Sequence, residues 1–72
     1  MDETLTDIAT LDLPYRRKAT LREVRFESGM RLVRLVLREG TRITQVDLDN
    51  ETAQKLGSLL IDAAQGGEPE NG

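Results

Sequence analysis

With a period of two, "MRLVRLVLRE" (residues 30–39) puts Val33, Leu35 and Leu37 on one side and Leu32 and Val36 on the other, with Arg34 and Arg38 among the second set. A half-exposed strand in a small domain is apolar on one face only, so the second face needs a cover, a partner or a ligand. The same alternation runs through residues 19–27 ("ATLREVRFE") and 41–48 ("TRITQVDL"), with glycine-bearing turns at Ser28-Gly29 and Glu39-Gly40. These runs are rich in β-branched residues and predict a three-stranded antiparallel meander. Leu11, Leu13 and Tyr15 alternate with Thr10 and Asp12, which suggests a fourth, short strand that Pro14 confines to an edge or ends; a helical turn is the other reading of that segment.

A period of 3.6 takes over after Leu48. Asp49 or Asn50 is placed to cap the first amides, Glu51 adds an acid at the positive pole, and Gly66-Gly67 supplies a stop, which predicts a helix over residues 50–65. Ala53, Leu56, Leu60, Ala63 and Ala64 make its apolar centre, flanked by Leu59 and Ile61, and Gln54, Lys55, Ser58 and Asp62 lie opposite. That arc is wider than a single sheet contact requires. Gly57 lies within it and costs helix propensity unless another backbone approaches closely. The fold class is therefore α+β: a meander sheet of three to four strands followed by one C-terminal helix packed on one face. One domain spans residues 8–65, after a flexible lead-in (1–7) and before a disordered acidic tail (66–72).

Two-residue turns at 28–29 and 39–40 would set Val24 opposite Val33, Leu21 opposite Val36, Val33 opposite Val46 and Arg34 opposite Gln45. One face then collects Val24, Phe26, Val33, Leu35, Leu37, Val46 and Leu48 for the helix. The other collects Leu21, Met30, Leu32, Val36 and Ile43 with Glu23, Arg25, Arg34, Arg38 and Gln45. Leu32, Val36, Ile43, Arg25, Arg34 and Arg38 are its candidate contact residues, for a protein partner or for nucleic acid. Arg34 is central, with a cross-strand pair to Glu23 as its structural role and a partner anchor as its functional one.

A chain of 72 residues buries only about 60% of its unfolded surface. Without Cys or His it has neither disulfides nor the usual zinc ligands, which leaves oligomerisation as its means of support. The same absence removes the commonest nucleophiles and acid–base groups, so no enzymatic activity and no cofactor are expected. No stretch resembles a signal peptide or a membrane span, and a cytoplasmic location is the default expectation. The net charge of -3 is unevenly spread. Residues 16–42 hold nine bases against three acids, between an N-terminal block with four acids and no base and a C-terminal block with Lys55 against six acids. Such a basic middle either binds anions or is neutralised by the flanks folding against it.

Four strands, basic hairpins among them, and then a helix opened by the acidic cap of "VDLDNETAQKL" resemble the positive-cofactor-like transcriptional coactivators over about residues 8–65. The resemblance implies a dimer paired through its helices, with curved basic sheets that hold single-stranded DNA. Phosphates would pair with guanidinium groups, while stacking would rest on Arg planes and Tyr15, because Tyr15 and Phe26 are the only aromatic residues. "DLDNE" spaces Asp47, Asp49 and Glu51 like the start of a calcium loop, but Thr52 replaces the glycine and Ser58 the closing glutamate, so helix capping is the expected role. "YRRK" (residues 15–18) is expected to be a solvated turn. The expected function is a non-catalytic interaction module that self-associates, as a homodimer, or docks a protein partner through the apolar, Arg-bearing sheet face; binding of single-stranded nucleic acid by the same face is the alternative.

Overall fold

The computed structural model describes residues 3–66. Four antiparallel strands, β1 (Glu3–Leu13), β2 (Arg17–Phe26), β3 (Arg31–Glu39) and β4 (Arg42–Leu48), lie side by side in sequence order, and one helix, α1 (Asn50–Gly66), follows. This is the α+β meander that the alternation predicts. The expected tail lies outside the described residues apart from Gly66, which closes α1.

β1 begins at Glu3, so residues 3–7 are strand and not lead-in. Its register against β2 shifts between Asp7 and Ala9, with Ile8 as the extra residue of a bulge. The bulge sends Leu5 to one face and Leu11 to the other, which breaks the alternation that would have revealed a long strand. β1 extends the edge of the sheet and does not cover either face. The turn that follows carries Tyr15 and Arg16 at φ of 65° and 63°, a region in which side-chain-bearing residues are uncommon.

The β2–β3 loop holds three residues instead of the two expected. The Gly29 amide donates to the Phe26 carbonyl (2.9 Å) and the Phe26 amide to the Met30 carbonyl (2.8 Å), with Gly29 at φ 97°. This is a tight turn closed by a glycine bulge. The extra residue moves the register by one, so Val24 stands opposite Leu32 and Leu21 opposite Leu35. A slip of one exchanges the faces of β2 relative to β3. The β3–β4 hairpin turns at Gly40 and Thr41, setting Val33 opposite Leu48 and Arg34 opposite Asp47. That register differs from the expected one by two residues, which leaves the faces unchanged.

Directly opposed residues share a face, so the register sorts the sheet. An apolar face holds Leu11, Leu13, Ala19, Leu21, Val33, Leu35, Leu37, Val46 and Leu48, with Arg17, Glu39 and Arg42 at one end and Glu23, Arg25 and Arg31 at the other. A charged face holds Leu5, Val24, Phe26, Leu32, Val36 and Ile43 among Asp7, Asp12, Lys18, Arg22, Arg34, Arg38 and Asp47. Val24 and Phe26 thus leave the side on which Val33 lies, and Leu21, Glu23 and Arg25 join it.

The sheet has little over it. Among the described residues only Ala19 (9% exposed) and Val24 (0%) are buried. α1 touches β3 and β4 alone. Asp49 caps it, its carboxylate accepting from Thr52, and the Ala53 amide donates to the Asp49 carbonyl at 2.9 Å. Along residues 51–65 only Ala53 and Gly57 are half-buried, and every residue in 58–65 is exposed. The helix leaves the sheet after two turns and projects as an arm. The molecule measures 47 × 30 × 16 Å with a radius of gyration of 14.6 Å, against about 11 Å for a compact domain of this length.

Val24→Ala is expected to lower the stability of the fold by about 2 kcal/mol in urea denaturation, and Met30→Ala, at a 55% exposed position, to change it by less than about 0.5 kcal/mol. A Cβ on Gly57 would meet nothing within 4 Å. Gly57→Ala should therefore raise helix content and add up to about 1 kcal/mol, as followed by circular dichroism.

Candidate functional site

Four charges cross the charged face in one row: Asp7 on β1, Arg22 on β2, Arg34 on β3 and Asp47 on β4, each opposite the next. Two arginines directly opposed would repel, and the flanking carboxylates offset this. Arg34 donates to Asp47 through both Nε (2.7 Å to Oδ1) and Nη2 (3.1 Å to Oδ2), a fork of two parallel hydrogen bonds. Arg22 Nε lies 2.8 Å from Asp7 Oδ1, close enough for an ion pair though out of line for a hydrogen bond. The Arg34 side chain is 16% exposed, so its charge is committed to Asp47 and is not presented to a partner. Hydrogen bonding from Arg34 holds the Asp47 carboxyl below the ordinary 3.8, and the same contact raises Arg34.

Five of the six residues singled out from the sequence, Leu32, Arg34, Val36, Arg38 and Ile43, do share a face. Arg25 does not: it lies on the apolar face, 3.5 Å from Glu23, which also accepts from Arg31 at 3.0 Å. Glu23 is therefore the partner of Arg25 and Arg31, and Asp47 takes the place expected for it beside Arg34. Lys18 pairs with Asp12 at 3.3 Å. Glu3, Asp7, Asp12 and Asp47 stand against Lys18, Arg22, Arg34 and Arg38, which leaves the charged face neutral. Of the three arginines proposed as contacts, only Arg38 makes no ion pair among the described residues.

The apolar face is the feature that the expected register concealed. Leu11 is 62% exposed, Val46 42% and Leu37 37%, whereas Leu13, Leu21, Val33, Leu35 and Leu48 are half-buried and Ala19 is buried. At its turn end an open cleft of about 360 Å³ is floored by Leu13 and Leu37 and rimmed by Arg17, Arg38, Glu39 and Arg42. Arg17 and Glu39 pair there at 2.7 Å, and the Arg17 guanidinium lies 5.8 Å from the centre of the Tyr15 ring. The second uncovered surface is the arm of α1, where Leu59, Leu60 and Ile61 are 59%, 61% and 57% exposed. In the stretch that resembles a calcium loop, Asp47 is held by Arg34 and Asp49 caps the helix. No group of three acidic side chains suited to a metal ion occurs among the described residues, and no helix there is long and apolar enough to cross a membrane.

The fold and its surfaces define a single-layer meander with an appended helix, in which both apolar surfaces stand open. A family model described as a family of unknown function (DUF6967) matches residues 2–66, and the chain belongs to that family. No curated protein and no solved structure matches it.

Acid should test the carboxylates of this site. Asp47 and Asp49 both have lowered folded values, so their contribution is present above the unfolded value near 3.8 and is lost as pH falls through the folded value. The urea midpoint of the native chain is expected to fall steeply over that acid range. In the Asp47→Asn, Asp49→Asn double variant the midpoint should start lower at neutral pH and change less on acidification.

Proposed function

We propose that the chain is a non-catalytic interaction module that self-associates through its apolar sheet face and its projecting helix. The observation that carries this reading is the exposure of Leu11, Leu37 and Val46 on the apolar sheet face together with Leu59, Leu60 and Ile61 on the arm. A compact monomer of 8.1 kDa exposes about 4,500 Å², whereas this chain exposes 5697 Å². Large exposed apolar patches on a folded chain mark interaction surfaces. Arginines at both ends of the face suit its rim, where they fix orientation more than they add affinity.

Binding of single-stranded nucleic acid is the second reading, and it draws on Arg16, Arg38 and Arg42, which make no ion pair among the described residues. Against it stand the neutral charged face and the commitment of Arg34 to Asp47, which leave few cations to neutralise phosphates.

Sedimentation equilibrium at micromolar concentration is expected to give a dimer mass, and a monomer at every concentration would overturn the proposal. A labelled oligonucleotide titrated at low salt should show no rise in anisotropy. A rise that collapses between low and moderate salt would favour nucleic acid instead.

A further inference from the structure

We infer that the arm of α1 in one copy lies across the apolar sheet face of a second copy, and reciprocally. The inference rests on self-association and specifies its geometry. Each chain carries two unmet surfaces of opposite shape, a convex helical arc and a broad sheet face. Its own helix cannot satisfy the face, because α1 touches only β3 and β4 and is clear of the sheet from Ser58 onward.

Two other dimers leave one surface open. Pairing helix against helix would bury Leu59, Leu60 and Ile61 but leave Leu11, Leu37 and Val46 in water. Pairing sheet against sheet would do the reverse. Reciprocal docking covers both surfaces with one two-fold contact made twice, the self-complementary arrangement that a symmetric dimer requires. The arm fits within the face: its nine residues run about 13 Å, and a strand of nine about 30 Å.

Charge points the same way. The apolar face is rimmed by Arg17, Arg25, Arg31 and Arg42 against Glu23 and Glu39, a positive excess. The last turn of the arm has no base to offset the negative end of the helix dipole, while Asp62 lies on the side away from Leu60. The negative end of a helix entering a positively rimmed apolar face is favoured. Gly57 stands where the arm leaves its own sheet, with open space around it.

The absence of cysteine allows a clean test. Chains with Leu60→Cys are mixed with chains bearing one cysteine on the sheet, at Leu37, Val46 or Leu11 on the apolar face or at Ile43 on the charged face, and oxidised. Each chain then has a single thiol, so every disulfide reports contact between copies. The expected result is a mixed disulfide between Leu60→Cys and one or more of the three apolar-face positions, well above that with Ile43→Cys. Leu60→Cys chains alone should stay largely uncrosslinked. Leu60→Asp is expected to keep its circular dichroism spectrum, since the residue is 61% exposed in its own chain, and to weaken the dimer at least about 30-fold. Self-crosslinking of Leu60→Cys would mean helix-to-helix pairing and would overturn the inference. So would a preference for Ile43→Cys, or a sedimenting dimer that yields no mixed disulfide. A chain that sediments only as monomer removes the inference together with self-association, so the two failures are told apart.

Discussion

Where the β2–β3 hairpin turns decides what the two faces of this sheet are. Glu27, Ser28 and Gly29 form a three-residue loop, held by hydrogen bonds from Gly29 to Phe26 and from Phe26 to Met30. A two-residue loop would have placed Val24 with Val33 and Leu21 with Val36. The added residue instead gathers Leu21, Val33 and Leu35 on one side and sets Arg22 opposite Arg34 on the other, where the registers of β1 and β4 add Asp7 and Asp47 at the ends of the row. The loop can do this because Gly29 adopts a positive φ at little cost, and the rest of the hairpin register follows.

Little else holds the monomer. The backbone ladder, the enclosed Val24 between Leu5 and Leu32, and the fork from Arg34 to Asp47 are its main internal ties. Exposed pairs such as Arg17–Glu39 add at most about 1 kcal/mol each. A sheet with one uncovered apolar face and a helix that departs from it after two turns is half of a layered domain. In the proposed dimer a second copy would supply the other half without any change in the chain. The sequence has no disulfide or zinc ligand with which to reach the same end.

Much of this was legible from residue order. Alternation over β2, β3 and β4, the two glycine turns, Asp49 as cap and the wide arc of α1 all appear where local chemistry points to them. Register did not, because Ser28-Gly29 serves either a two-residue turn or a three-residue loop, and only the bulge at Gly29 tells them apart. That single ambiguity moved Arg25, Leu21 and Glu23 to the opposite face, and the two-residue shift of the β3–β4 register then brought Asp47 instead of Gln45 to Arg34. Ile8 hid the first half of β1 in the same manner, since one extra residue reverses the alternation on either side of it. The site residues on β3 and β4 stayed together because an error of two leaves faces unchanged.

What the chain offers to its surroundings is therefore an apolar surface with a charged rim, more than a field of free cations. Isotope-filtered NMR on an equal mixture of labelled and unlabelled chains addresses this most directly, because it records only contacts between copies. The proposed docking predicts intermolecular cross-peaks from the methyl groups of Leu59, Leu60 and Ile61 to those of Leu21, Leu35, Leu37 and Val46, and none to Ile43. Intermolecular cross-peaks centred on Ile43 and Val36, or none at all at millimolar concentration, would contradict it.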